Sequence, residues 1–223
     1  MACAIFSASG LLHGFEILPI AASMSPATGL ITLRSSALYL RPDMASLSTG
    51  SVNFPTIVYE NHMTLVEEMA GKMKEFGVRP EIEIFDLSHL HGARRLADKG
   101  LLDERPHIQF VMGVQNALPA EEGLLDILLN EARRLFPAYT WTAAGIGRHQ
   151  AQVMEWALAR GADAVRTGLE DNIRVTKDRL AASNAELVSL AADAVRRHGR
   201  RVATHEEART LLGLKPTPGI QAA

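Results

Sequence analysis

The sequence predicts an α/β protein built around a parallel β-sheet. Short apolar segments alternate five times with segments of helical period between residues 44 and 198, which is the pattern of βα units. The apolar segments are nearly continuous, as expected of strands that are buried on both faces. Polar residues follow several of them, at the end where parallel strands present functional side chains. The pattern alone fits a doubly wound open sheet and a (β/α) barrel equally well.

The individual elements follow one another with little interruption. Strands are predicted for residues 44–50, 80–86, 108–114, 140–146 and from residue 162 onward, and residues 51–55 are predicted to form a loop. Helices are predicted for residues 61–76, 90–99, 123–136, 150–160, 183–198 and 204–212. Gly77 is placed to end the first helix, and Thr204 with Glu207 forms a capping box at the start of the last.

Composition indicates an ordinary globular protein that does not bind nucleic acid or membranes. Of the 223 residues, 47% are apolar and 22% are charged, with a net charge of −2. No apolar run is long enough to span a bilayer. The single cysteine, Cys3, excludes an internal disulfide and a cysteine metal site. One cysteine also fits a reducing compartment, so we expect a cytoplasmic protein.

The segment at residues 164–172 has the strongest functional pattern. An apolar strand ends there in Arg166, Glu170 and Asp171. One acid could hold a divalent metal while the other moves protons, and the arginine would keep the second acid ionised. The alternative is structural, because acids at the start of a helix also suit the helix dipole.

Six blocks of sequence resemble the β-keto acid cleavage enzymes, whose best-known member is the 3-keto-5-aminohexanoate cleavage enzyme of lysine fermentation. The resemblance covers about residues 34–214. The blocks occur in the family's order and begin at Arg41 (RPDMASL), Gly50 (GSVNF), Pro80 (PEIEIFD), His107 (HIQFVMGV), Ala144 (AGIGR) and Gly168 (GLEDN).

This resemblance implies a (β/α)8 TIM barrel with a divalent metal, usually zinc, and acetyl-CoA as co-substrate. Such enzymes are transferases that are also lyases: they convert a β-keto acid and acetyl-CoA into acetoacetate and a new CoA thioester through Claisen and retro-Claisen steps. In the family, the metal is held by a His-x-His and a glutamate. The resemblance also implies a homo-oligomer.

The resemblance assigns roles to six residues of this chain. Glu170 matches the metal-binding glutamate, while Asp171 matches the catalytic base and Arg166 its neighbouring arginine. Three further residues match positions that contact the substrate: Ser46, Ser48 and Glu83. Of these, Glu83 matches the glutamate that can bind a substrate amine.

The family's N-terminal third has no counterpart that we recognise. We therefore expect an incomplete barrel with strands 4–8 only, formed by residues 34–216, between a poorly ordered leader (residues 1–33) and a tail (residues 217–223). Residues 15–18 are the best candidate for one replacement strand. The His-x-His is missing with this third, and His89 and His91 are no substitute, because residues two apart on a helix do not face each other.

Two functions remain open from the sequence. The first is the family's metal-dependent cleavage reaction, and Arg148, beside His149, could then meet a CoA phosphate. The second is a truncated, non-catalytic remnant or partner subunit that cannot hold the metal. A zinc site needs at least three protein ligands and only Glu170 is matched, so we expect the chain as written not to be a competent enzyme.

Overall fold

The computed structural model describes residues 1–7, 17–18 and 34–215. Its strands are β1 (Ala2–Ser7), β2 (Ile17–Leu18), β3 (Met44–Ser48), β4 (Val52–Asn53), β5 (Val58–Tyr59), β6 (Arg79–Ile84), β7 (His107–Met112), β8 (Thr140–Gly145), β9 (Ala164–Thr167), β10 (Arg174–Thr176), β11 (Arg179–Leu180) and β12 (Arg201–Val202). Its α-helices are α1 (Met63–Phe76), α2 (Leu87–Asp98), α3 (Glu122–Leu135), α4 (Gln150–Ala159), α5 (Asn184–Arg197) and α6 (His205–Leu211). Short 3-10 helices span Ser36–Leu40 and Gly147–His149.

Two parallel sheets carry the fold. The first has the strand order β2-β3-β6-β7-β8 and the second has the order β12-β1-β9. They meet where β8 lies beside β9, and the backbone N–H of Asp163 donates to the carbonyl of Trp141 at 3.0 Å. The predicted parallel α/β architecture is therefore confirmed, with each strand of the series β3, β6, β7 and β8 followed by a helix.

The main sheet has one apolar face and one polar face. On β6, Ile82 and Ile84 belong to the main apolar core, together with residues of helices α1 to α4. Glu81 and Glu83 alternate with them and therefore point to the opposite face. Helices packed on one face and inward polar side chains on the other are typical of a barrel wall rather than of a doubly wound sheet.

Residues 1–33, expected to be a poorly ordered leader, include two described stretches that both form strands. In β1, Ile5 pairs with Val165 of β9, and in β2, Ile17 pairs with Met44 of β3. Arg200 also holds β1, since its guanidinium donates to the carbonyl of Ala2 at 3.0 Å. The described fold thus has parallel strands beyond the five predicted. The rest of the expected leader, and the expected tail, lie outside the described residues.

Most predicted element boundaries are confirmed within a few residues, and the exceptions have local causes. Helix α2 starts earlier than predicted because the carboxylate of Asp86 accepts from the N–H of Ser88 at 2.8 Å and caps it. Part of the predicted loop at residues 51–55 is β4, which pairs with β5 in antiparallel orientation. The capping box of α6 is present. Over the described residues, no helix has the length and apolarity needed to cross a membrane.

Candidate active site

Arg166 is the centre of a buried cluster of charges at the C-terminal end of the strands. Its guanidinium donates two hydrogen bonds to the carboxylate of Asp171, each 2.8 Å long. The same guanidinium lies 3.4 Å from a carboxylate oxygen of Glu83 and 3.8 Å from one of Glu170. The side chain of Arg166 is 14% exposed and that of Asp171 is 4% exposed, so water screens this pair little.

The turn after β9 brings these groups together. Gly168 has φ 153°, a backbone conformation that residues other than glycine rarely adopt. The N–H of Asp171 then donates to the carbonyl of Gly168 at 3.2 Å, and the N–H of Leu169 donates to the side chain of Asn184 at 2.8 Å. This tight turn directs the carboxylate of Asp171 back onto Arg166.

The polar face of the main sheet is organised in two rows of residues in register. The row nearer the C-terminal end, which we call the upper row, consists of Ser48, Glu83, Gln109 and Thr142. The lower row, two residues earlier on each strand, consists of Ser46, Glu81, His107 and Thr140. Barrel interiors are usually filled by branched apolar side chains, so two stacked polar rows indicate a site rather than a packed core.

The upper row contacts the charged cluster directly. The hydroxyl of Ser48 donates to Glu83 at 3.1 Å, and the amide of Gln109 donates to the other oxygen of Glu83 at 3.4 Å. The amide oxygen of Gln109 and the hydroxyl of Thr142 are buried and have no hydrogen-bond partner among the described residues. Unsatisfied buried polar atoms are costly, so these two atoms mark a position for a polar ligand atom or a water.

The lower row is a separate, deeper network. The hydroxyl of Ser46 donates to Glu81 at 3.0 Å, and Nδ1 of His107 lies 2.9 Å from the hydroxyl of Thr140. Burial raises the pKa of Glu81 to about 7, against the opposing charge of Arg166. Burial, followed by the charges of Arg79 and Arg105, lowers the pKa of His107 to about 3. Ser46, expected to touch substrate, therefore lies one row below the cluster.

The cluster contains more acids than bases. Burial raises the pKa values of Glu83 and Glu170, and Arg166 opposes this shift in both. Burial acts to lower the pKa of Arg166, but Asp171 and Glu83 outweigh it, so the net shift is upward. One permanent cation thus faces several carboxylates, an arrangement that favours a retained proton on a glutamate.

Replacing Glu81 with Gln should change how stability depends on pH. The pKa of Glu81 is about 7 in the folded protein and 4.5 as its ordinary value, so the folded state binds the extra proton between these pH values. Wild-type stability therefore falls as pH rises through this window, by about 3 kcal/mol from this group. Urea unfolding at pH 4.5 and pH 8 should show Glu81→Gln gaining that amount relative to wild type. The matched control is the exposed Glu104→Gln, and parallel pH profiles for all three proteins would refute the role of Glu81.

The described residues do not fit a zinc site. No group of three His, Cys, Asp or Glu side chains lies close enough to hold a metal ion in the part of the chain that the structure describes. Glu170 has a half-exposed side chain that forms an ion pair with Arg166 at 3.8 Å. His89 is buried, with Nε2 3.3 Å from the carbonyl of Ser51, whereas His91 points outward to Glu131 at 2.9 Å. The prediction that this pair of histidines does not converge is confirmed.

Comparison with known proteins identifies the family. The model of the beta-keto acid cleavage enzyme family matches residues 20–214. The chain belongs to this family. The match begins earlier than residue 34, where the resemblance was expected to start, and so includes part of the expected leader.

Two relatives of the chain are enzymes by name, and one of the two names includes acetyl-CoA. The chain is 51% identical over 181 residues to the 3-oxoadipate:acetyl-CoA acetyltransferase of Cupriavidus necator, covering 81% of this chain and 63% of that protein. It is 36% identical over 195 residues to the 3-keto-5-aminohexanoate cleavage enzyme of Fusobacterium nucleatum, covering 86% of this chain and 70% of that protein. The chain thus spans somewhat under two thirds of the first relative's length.

A solved structure supports the fold assignment. ObcA in binary complex with oxaloacetate superposes with a TM-score of 0.74 and 23% identity, covering 90% of this chain and 53% of that chain. At this level of identity the likeness concerns the fold alone, and it agrees with the barrel-like wall described above.

The structure adds four residues to those predicted for this family's site: Glu81, His107, Gln109 and Thr142. The sequence pattern that could have indicated them is the presence of polar residues at every second position of three successive strands. Alternation places such residues on one face, but only the register of the strands shows that they form common rows. Among the predicted residues, Ser48, Glu83, Arg166, Glu170 and Asp171 do come together.

Proposed function

We propose that this site takes part in the acetyl-CoA-dependent cleavage of a β-keto acid. In the overall reaction, the β-keto acid and acetyl-CoA are exchanged for acetoacetate and the CoA thioester of the remaining acyl group. The buried Arg166–Asp171 pair beside Glu83 supports this function most strongly. Carbon–carbon bond exchange next to a keto group requires a base, and this site offers one together with a cation that orients it and a second, protonatable acid.

Asp171 acts as the base in this proposal. The C2 protons of a β-keto acid are acidic because they lie between two carbonyl carbons. Asp171 removes one, and the resulting enolate carbon attacks the thioester carbonyl of acetyl-CoA, expelling CoA as the thiolate. The thiolate then adds to the original keto carbon, the bond from that carbon to C2 breaks, and C2 takes back the proton. Atoms and charge balance without an oxidant or reductant.

The neighbouring residues orient the reactants. Arg166 fixes the direction of the Asp171 carboxylate by donating two hydrogen bonds to it. Glu83, held by Ser48, is the group that contacts the substrate's far end or returns a proton. It is already engaged by Arg166, so a substrate cation would have to compete with that arginine. Gln109 and Thr142 supply unsatisfied polar atoms for a substrate oxygen.

No step is assigned to a metal. The family resemblance implies zinc with Glu170 as one ligand, but the described residues provide no set of three ligands around it. This observation favours a second candidate function, that of a non-catalytic partner subunit whose site is incomplete in this chain.

One assay separates the two candidates. Purified protein is incubated with acetyl-CoA and a panel of β-keto acids, beginning with 3-oxoadipate, whose remaining acyl group would appear as succinyl-CoA. New CoA thioesters are measured by mass spectrometry, and zinc is measured on the same sample. Thioester formation supports the cleavage function. Its absence for every acid, with zinc far below one per chain, supports the partner subunit. We expect low zinc, because Glu170 alone cannot form a site.

A further inference from the structure

A cavity of 810 Å³ lies outside the sheet, between helices α4 and α5 and the strand β10. We call it the outer pocket. Its floor is apolar and is formed by Met154 of α4 and by three residues of α5: Leu187, Ala191 and Ala194. This volume falls in the upper part of the range for sites that hold whole small molecules.

Three cations line the rim of the outer pocket: Arg148, Arg174 and Lys177. None of the three forms an ion pair with a carboxylate of the described residues. Arg148 donates to the ring of His149 at 3.3 Å, and Arg174 donates to the carbonyl of Lys177 at 3.1 Å. The other arginine of the pocket, Arg197, is already paired with Glu155 at 2.6 Å. An apolar floor with three uncompensated cations suits a ligand that combines a ring with several phosphates.

The outer pocket adjoins the catalytic cluster through one short segment of chain. Thr167 and Asn172 line the pocket. Their neighbours in sequence, Arg166 and Asp171, belong to the cluster on the other side of β9. The turn between them is the shared rim, so a long flexible ligand anchored in the pocket would need to cross only this turn to reach Asp171.

We propose that the outer pocket binds the nucleotide end of a CoA thioester, with the phosphates at Arg148, Arg174 and Lys177 and the adenine on the apolar floor. This inference rests on the proposed function, and it states where the nucleotide portion of the co-substrate binds. The pantetheine arm then carries the thioester over the turn at residues 168–172. A protein partner fits less well, since the unpaired cations would then require matching acids on that partner.

Binding of coenzyme A and of adenosine 3′,5′-bisphosphate, measured by calorimetry, tests the proposal without any turnover. The double variant Arg174→Gln/Lys177→Gln should bind both probes about 10- to 100-fold more weakly than wild type, because it loses two charged hydrogen-bonding groups. The control is Arg95→Gln, an exposed arginine of α2 outside the pocket, which should bind like wild type. Equal affinity in wild type and double variant, or no binding to wild type, overturns the proposal.

The nucleotide-free substrate acetyl-pantetheine separates this proposal from the proposed function. If thioester exchange occurs, the double variant should have a raised KM for acetyl-CoA and an unchanged KM for acetyl-pantetheine. If both proteins catalyse thioester exchange and the double variant has the same KM for acetyl-CoA as wild type, the proposed role of the outer pocket is refuted but the proposed function is not. If wild type binds coenzyme A more tightly than the double variant but catalyses no thioester exchange, the proposed function is refuted but the proposed role of the outer pocket is not. A change of oligomeric state in the double variant, seen by sedimentation, would instead make the rim a subunit contact and overturn the proposal.

Discussion

Replacing Arg166 with Met should destabilise the protein by about 3 to 5 kcal/mol at neutral pH, the cost of removing one partner from a buried ion pair. The side chain of Asp171 is 4% exposed and that of Glu83 is 14% exposed, and both would lose the only cation with which they form an ion pair among the described residues. Urea unfolding followed by circular dichroism gives the free energy of unfolding for comparison with wild type.

The pH dependence of this loss is diagnostic. Burial already raises the pKa of Glu83 and Arg166 opposes this shift, so without Arg166 the pKa of Glu83 rises further in the folded state and stability falls as pH increases. The deficit should therefore be larger at pH 8 than at pH 5. Arg196→Met serves as the control, since the ion pair of Arg196 with Asp193 is exposed and should contribute under about 0.5 kcal/mol. A deficit for Arg166→Met as small as the control's would show that the cluster is not a coupled unit.

Replacing Asp171 with Asn should lower the rate of thioester exchange by about 10² to 10⁴-fold, the range for loss of a general base. Asn keeps the size of the side chain and one oxygen that accepts from Arg166, but it cannot accept the C2 proton. The effect should appear in kcat and not in the KM for acetyl-CoA, because the proton moves only in the chemical step.

Asp178→Asn is the matched control for this variant, since Asp178 is exposed in the turn between β10 and β11. It should keep the wild-type rate. An Asp171→Asn protein that retained exchange within about threefold of wild type would assign the base elsewhere. Glu83 would then be the next candidate, because burial already raises its pKa and prepares it to carry a proton.

The sequence predicts the alternating strands and helices of this protein well because each is a local pattern. Helix α1, for example, has a helical apolar period and ends at Gly77, which has φ 70°. Part of the charged cluster could also be predicted from the sequence, because Arg166, Glu170 and Asp171 are separated by only a few residues and lie at the end of one strand.

What the sequence could not reveal depends on long-range pairing. Residues 2–7 have no clear periodicity, and a short apolar run can form either a strand or part of a helix. The role of β1 follows only from its pairing with β9 and β12, which lie at the other end of the sequence. Likewise, Ser46 and Ser48 look equivalent in sequence, but register places Ser48 beside Glu83 and Ser46 beside Glu81 in the deeper row.

The central position of β1 has a consequence for how the chain folds during synthesis. Ile5 and its partner Val165 are separated by 160 residues of sequence, so β1 is synthesised well before the strand with which it pairs. Until then β1 is an apolar segment with unpaired backbone groups, open to association with other chains. Contacts of such high contact order also form slowly, because a long loop must close first. The docking of β1 between β9 and β12 should therefore be a late step of folding, and chaperones that protect nascent chains would act on β1 until β9 has been made.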